Sequence, residues 1–353
     1  MPNLTVTAYY TRKSLKFFLV GLVAYFFLRL GVIYSIELYK YLNPPPPPAA
    51  TVGFGMLPKI IFPSTNNYTL NLELQTPDGK LPSFPINIPI YYMPYKRATL
   101  FASDQAKKLA SNLGFAGEPA YLSTDEYQWT RNVPAPLTLH INISTGTYTL
   151  AYQWQADKNL QTSNRQINRS EALGIASGYL SAVEQIPSDI DQTNAQVNYL
   201  KSSGNQLIPA ISLSEATFVR IDYFRAKINN YDVVTAEPSR GIVTFILSNS
   251  QDQKNQLIYG DYKYYPVNYY TAETYPLKSI ASAWDELIKG QAYIAQTVEG
   301  KTNFYIRRIS LCYYDTFTAQ EFLQPIYIFS GDDGTNQRFI AYVHAIDASY
   351  IKP

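Results

Sequence analysis

The residue types able to carry chemistry are scarce in this chain of 353 residues: two histidines, one cysteine and 27 carboxylate side chains. A metal or hydrolytic site needs several of these to converge, or a nucleophile beside its base. His140 falls on the polar face of an alternating run and reads as solvated, while His344 is in phase with Tyr342 and Ile346 in an apolar, aromatic run and reads as a satisfied sheet residue. No His-Glu-x-x-His, Gly-x-Ser-x-Gly or phosphate-cradling glycine loop occurs. Asp332-Asp333-Gly334 lacks the ligand spacing of a calcium loop and reads as a hairpin tip. Asp285 and Glu286 fall in the first turns of a helix, where they favour its dipole. Cys312 alternates with Leu311 and reads as a lone buried thiol rather than a nucleophile. No catalytic residue, no metal ligand and no cofactor is therefore assigned, and a non-enzymatic role is expected.

Tyrosine is the residue in excess, at 32 copies, and seven of them fall between Tyr259 and Tyr275. Ring faces stack on sugars or fill a protein interface at low entropic cost. Tyr264, Tyr265, Tyr269 and Tyr270 are accordingly the candidate interaction surface, against the alternative of a sheet edge and loop packed on their own domain.

Whatever these residues do is set by one stretch near the start of the chain. Phe17 to Ile36 is apolar except for Arg29, and about 20 helical residues cross a hydrocarbon layer of roughly 30 Å. Arg12, Lys13 and Lys16 precede the run, while Lys40 follows it beside Glu37. That asymmetry places the N-terminus in the cytoplasm and the bulk of the chain outside it. The run exceeds a usual signal core, and bulky Tyr34, Tyr39 and Tyr41 stand where small residues would precede a cleavage site, so the segment reads as an uncleaved anchor. Arg29 costs on the order of 2.5–3.5 kcal/mol near mid-span by insertion scales. Outward snorkelling to the headgroups is the favoured reading, and pairing with an acidic residue of a partner's membrane helix is the alternative.

Five prolines, Pro44 to Pro48, then make a semi-rigid spacer. Lysine plus arginine total 29 against 27 acidic residues, a net charge of +2, and no basic cluster interleaved with aromatics occurs outside the N-terminal charges, which argues against nucleic acid. One cysteine cannot form an intramolecular disulfide, so a hydrophobic core must hold the external part. The expected fold is α+β. Helices are predicted from Ser103 to Gly114, from Ser170 to Pro187, and from Ser279 or Ser282 to Gly290, each followed by about three strands. Leu137 to Ile143 alternates with Thr138, His140 and Asn142, the mark of a sheet wet on one side, and Pro187 to Asn205 reads as a polar loop. The organisation predicted is a cytoplasmic N-terminus (1–16), a transmembrane anchor (17–39), a proline-rich spacer (40–55), and tandem modules of one helix on an antiparallel sheet at 56–160, 161–277 and 278–353.

In the last third, Ser282-Ala283-Trp284-Asp285-Glu286-Leu287-Ile288-Lys289-Gly290 is followed by Ile309-Ser310-Leu311-Cys312-Tyr313-Tyr314-Asp315, by Leu323-Gln324-Pro325-Ile326-Tyr327-Ile328-Phe329, and by Phe339 to Ile346. This series resembles the PepSY-like modules of YycH/YycI-type proteins, single-span bacterial regulators of a cell-envelope sensor kinase. The resemblance implies protein binding at the cell envelope with no catalytic residues. The expected partners are the bilayer, through residues 17–39, and an envelope protein. A cell-wall or polysaccharide-binding surface protein is the alternative.

Overall fold

From Leu4 to Leu42 no proline interrupts the chain, and the computed structural model has one continuous helix there, α1, of 39 residues. The structure describes residues 3–43, 48–63, 70–95, 98–132, 134–157, 160, 165–183, 186–250 and 256–352. It divides into two compact units, residues 1–49 and 50–353. In the first unit α1 buries none of its side chains, and it is long and apolar enough to span a membrane. The helix starts well before Phe17, so Arg12, Lys13 and Lys16 ride on its first turns instead of a separate N-terminal segment. Pro44 to Pro47, the heart of the predicted spacer, lie outside the described residues. At the spacer's far end, Thr51 and Val52 donate their backbone N–H groups to Thr274, so that part belongs to the folded second unit.

The strands of the second unit are β1 (Asn71–Leu74), β2 (Asn87–Tyr92), β3 (Ala120–Tyr121), β4 (Glu126–Arg131), β5 (Leu137–Asn142), β6 (Tyr148–Tyr152), β7 (Ile190–Ser203), β8 (Gln206–Pro209) and β9 (Phe218–Arg225). They continue with β10 (Val233–Val234), β11 (Val243–Ser248), β12 (Leu257–Tyr262), β13 (Asn268–Pro276), β14 (Tyr293–Gln296), β15 (Asn303–Tyr314), β16 (Phe322–Asp332) and β17 (Arg338–His344). Among the described residues they form two sheets. One has nine antiparallel strands in the order β3-β4-β5-β6-β12-β11-β9-β7-β8. The other has eight, built on β1-β15-β16-β17-β14, with β10 beside β15 and β2 joining β16 to β13.

Helix α2 (Ala102–Asn112) and helix α3 (Arg169–Leu180) cover one face of the nine-stranded sheet. They bury alanines four residues apart, Ala102, Ala106 and Ala110 on one and Ala172 and Ala176 on the other, which lets the helices approach closely. The Asn168 side chain caps α3 by accepting from the Glu171 N–H, and Gly114 ends α2 at φ +83°. Beneath them lie Leu139, Ile141, Leu150, Phe245 and Leu247, while Thr138, His140 and Thr149 face the other way, the one-sided wetting expected of the alternation in β5.

In the eight-stranded sheet both faces are covered, which explains why β16 is buried at eight consecutive positions from Phe322 to Phe329. Leu311, Tyr313, Tyr327, Phe329 and Val343 point to the main core under α4 (Ile280–Ile288), which contributes Ala283 and Leu287. Cys312, Tyr314, Ile326, Ile328 and Tyr342 point to a second, smaller core closed by Ile60 and Phe62.

Two features differ from the sequence reading. Residues 190–203 are strand β7 where a polar loop was expected, because most of its side chains stay in solvent and leave no apolar alternation to read. The strand pairings also cross the expected boundaries at 160/161 and 277/278. β6 pairs with β12, and β2 pairs with β13 and β16, so three consecutive helix-on-sheet units are replaced by two sheets that share the chain's strands.

Gly331 lies in β16 opposite a bulge in β15, where an added Cβ would fall 1.8 Å from the Tyr305 carbonyl oxygen. Gly331→Ala should destabilise the fold by about 1–3 kcal/mol in urea denaturation, since backbone must move. Gly178→Ala, on the open side of α3 with no atom near the new methyl, should be neutral or stabilising by up to about 1 kcal/mol. Equal effects of the two would contradict this packing.

Candidate functional site

The tyrosine-rich segment is most of β12, a short crossing and β13 up to its last residue but one, and it passes from one sheet to the other. Tyr262 is buried and stacks on Tyr148 with ring centroids 5.4 Å apart. Tyr264 lies under the Arg225 guanidinium, 4.9 Å from ring centroid to Cζ, and burial raises its phenol to about 12. Tyr265 is half-buried against the core of the eight-stranded sheet. Tyr269 donates its hydroxyl to Asp189 Oδ2 at 2.7 Å and meets Tyr91 edge-on at 5.6 Å. Tyr270 is fully exposed. Tyr275 is buried and donates to the Gly55 carbonyl at 2.9 Å. Of the four candidate residues, Tyr264, Tyr265 and Tyr269 thus line the junction between the sheets, and Tyr270 presents its whole ring to solvent.

Beneath them is a charge cluster that the sequence reading passed over. Arg225, the last residue of β9, has a fully buried side chain. Its Nε meets Asp315 Oδ2 at 2.8 Å, its Nη1 pairs with Asp189, and its Nη2 donates to the Tyr265 carbonyl at 2.7 Å. Burial alone would lower the guanidinium, but the carboxylates of Asp315 and Asp189 outweigh it and hold it protonated. Asp315 directly follows β15, so the cluster bolts the nine-stranded sheet to the eight-stranded one. A usable signal was present at one end only: Asp315 closes the largely apolar run from Ile309 to Tyr314, where a lone charge has to be paired, whereas β9 already carries Arg220 and Asp222 and so does not single out Arg225.

The remaining chemistry-bearing residues are accounted for locally. Cys312 is buried, and burial pushes its thiol up to about 11, so it stays protonated. His344 shares a hydrogen bond with Gln324 Oε1 at 3.2 Å, and burial first and Lys278 second lower it to about 4, so it is neutral. Asp332 pairs across strands with Arg307 of β15 at 3.0 Å, and within the hairpin tip hydrogen bonds from Thr335 hold Asp333 down to about 2. Asp285 and Glu286 fall in the last turn of α4 and not in its first, so they do not favour its dipole as expected, and Glu286 pairs instead with Lys278 at 2.7 Å. Among the described residues no three His, Cys, Asp or Glu side chains converge as a metal site.

On α1 the four cations of the anchor, Arg12, Lys13, Lys16 and Arg29, are all exposed. Against the sequence reading that no small-xxx-small glycine motif is present, Gly31 and Ser35 are a small pair at four-residue spacing, and they floor a shallow groove lined by Phe27, Leu28, Val32 and Ile36.

Arg225→Met would strand Asp315 and Asp189 without their counter-charge, and an expected loss of about 3–5 kcal/mol should appear as a large drop in the urea midpoint. A change under 1 kcal/mol would refute the bolt. For His344, the folded pKa lies below the ordinary 6.5. The folded state therefore binds fewer protons, so its stability is complete above pH 6.5 and falls as the pH drops toward 4. Relative to His344→Gln, the wild type should lose about 1–2 kcal/mol between pH 7.5 and pH 5. Parallel pH profiles for the two proteins would contradict this.

No protein-family model matches the chain, and no curated protein matches it. Among solved structures, an uncharacterized protein from Eubacterium rectale ATCC 33656 aligns over 73% of this chain and 82% of that one, at a TM-score of 0.35 and 12% sequence identity.

Proposed function

We propose that this chain is a single-pass, membrane-anchored, extracytoplasmic interaction or regulatory protein of the bacterial envelope, non-enzymatic, which docks on an envelope protein such as a sensor kinase. The observation that carries this reading is α1, in which 39 residues bury no side chain while Phe17 to Ile36 is apolar but for Arg29. A helix of that composition needs lipid or another protein around it. The cations at positions 12, 13 and 16 favour a cytoplasmic N-terminus. The buried charges of the second unit support binding over catalysis, because Arg225, Asp189 and Asp315 are spent on one another. The resemblance of the last third to YycH/YycI-type modules points to the same class of partner, with the fully exposed Tyr270 ring as a contact.

A wall-glycan-binding role draws on a different observation. The face of the nine-stranded sheet away from α2 and α3 carries Gln128, His140 and Thr149 in one cross-strand row, with the half-buried Tyr259 beside it. Polar groups around a ring face suit a sugar.

Alkaline carbonate should leave the protein in the membrane pellet, and protease added to whole cells should degrade residues 50–353. Intact protein in the cytosol would end the proposal. In-cell crosslinking should then recover an integral envelope protein, and Tyr270→Ser should lower that yield severalfold without changing the thermal midpoint. Sedimentation of residues 50–353 with purified wall, undiminished by competing protein, would favour the glycan reading instead.

A further inference from the structure

Arg29 is the charge in α1 that neither water nor the chain itself can neutralise. The apolar run from Phe17 to Ile36 is centred between Phe26 and Phe27, so Arg29 lies only about 4 Å from mid-span toward the Glu37 end. The headgroup boundary on that side is roughly 11 Å further along the axis. The helix is unbroken from Leu4 to Leu42, so the direction of the side chain is set. Cα–Cβ bonds in a helix tilt toward its N-terminus, which aims Arg29 back across the centre, away from the nearer boundary. Snorkelling, favoured on sequence alone, therefore works against the helix geometry.

The chain offers no counter-charge either. No Asp or Glu occurs before Glu37, and Glu37 sits eight residues from Arg29, about 12 Å along the axis and outside i,i+4 reach. A second copy fares no better, since a parallel pair would set Arg29 against Arg29. The occupant that satisfies this site is a different transmembrane helix with a carboxylate at the depth of Arg29.

The face that carries Arg29 also carries Tyr25, Phe26, Val32, Ile33 and Ile36, at three-, four- and seven-residue spacing, and all of them are exposed. The groove floored by Gly31 and Ser35 lies on the other side, since Gly31 is two residues from Arg29 and so about 200° around the helix. We infer that α1 binds the transmembrane helix of its envelope partner through an ion pair between Arg29 and an Asp or Glu of that helix, packed on this apolar face. This rests on the reading of α1 as a membrane span and adds the chemistry of the partner.

The test uses the full-length protein in dioleoylphosphatidylcholine vesicles and a synthetic leucine-alanine transmembrane peptide carrying one Asp at the depth of Arg29, followed by energy transfer between labels. The Asp peptide should bind on the order of tenfold more tightly than the same peptide with Leu. That advantage should vanish with Arg29→Leu and persist with Gly31→Ile on the opposite side of the helix, while an Asp moved two turns toward either end should lose it. Equal binding of the Asp and Leu peptides, an advantage that survives Arg29→Leu, or copy-to-copy transfer as strong as that to the Asp peptide would overturn the inference. Carbonate extraction of the same vesicles separates the two levels: release of the protein would overturn the span itself and the pairing with it, whereas retention with no Asp preference would overturn the pairing alone.

Discussion

One guanidinium with no exposed surface sits where the two sheets of the second unit meet. Arg225 ends β9 of the nine-stranded sheet and Asp315 directly follows β15 of the eight-stranded one, so their 2.8 Å contact lies where the two sheets meet. A buried ion pair is a poor source of net stability, because desolvating both charges costs about as much as their attraction returns. Its value lies in specificity: any other arrangement of the two sheets leaves a charge buried and alone. Asp189 and the Tyr265 carbonyl occupy the remaining donors of Arg225, and Tyr269 closes the cluster by donating to Asp189. The tyrosine-rich segment is crowded because it has to cross this junction, and the crossing needs side chains with an apolar body and a polar tip.

The same constraint separates what could be read in the sequence from what could not. Some helix ends were legible because caps and stops are local: Ser279 accepts from the Ser282 N–H, Gly114 and Gly290 adopt positive φ, and the apolar faces of α2 and α4 follow the helical period. Helix α2 starts without a side-chain cap before the expected Ser103, and α3 is capped by Asn168 and ends at Leu180, well short of Pro187. The wet face of β5 was legible for the same reason, since alternation is a property of one strand. The pairing of β6 with β12 and of β2 with β16 joins segments more than a hundred residues apart, and nothing in either partner's local pattern names the other. Periodicity therefore showed three helix-then-strand passages, and tertiary pairing distributed their strands over two sheets. In the candidate surface the chemistry of the residues was readable but their direction was not, for a tyrosine that covers a junction and one that faces a partner have the same composition signature. Tyr264 and Tyr270 lie six residues apart and do opposite things.

The abundance of tyrosine also answers a question raised by the single cysteine. An external domain of this size without disulfides has to hold its loops by other means. In this chain phenol hydroxyls donate to loop and segment carbonyls: Tyr275 to Gly55, Tyr313 to Pro89, Tyr327 to Lys278 and Tyr342 to Thr235, at 2.7–3.0 Å. Each ring is buried in a core, so each hydrogen bond ties a neighbouring segment, or in the case of Pro89 the strand β2, to that core at a net worth of about 0.5–1.5 kcal/mol. Phenylalanine would fill the same volume and leave the carbonyls unanswered, which is why the excess is in tyrosine and not in aromatics generally. Burial raises these phenols above their ordinary range, so they remain donors at any pH the envelope reaches. A fold pinned in this way does not depend on the redox state of its surroundings, and its one thiol, Cys312, is kept protonated inside the smaller core.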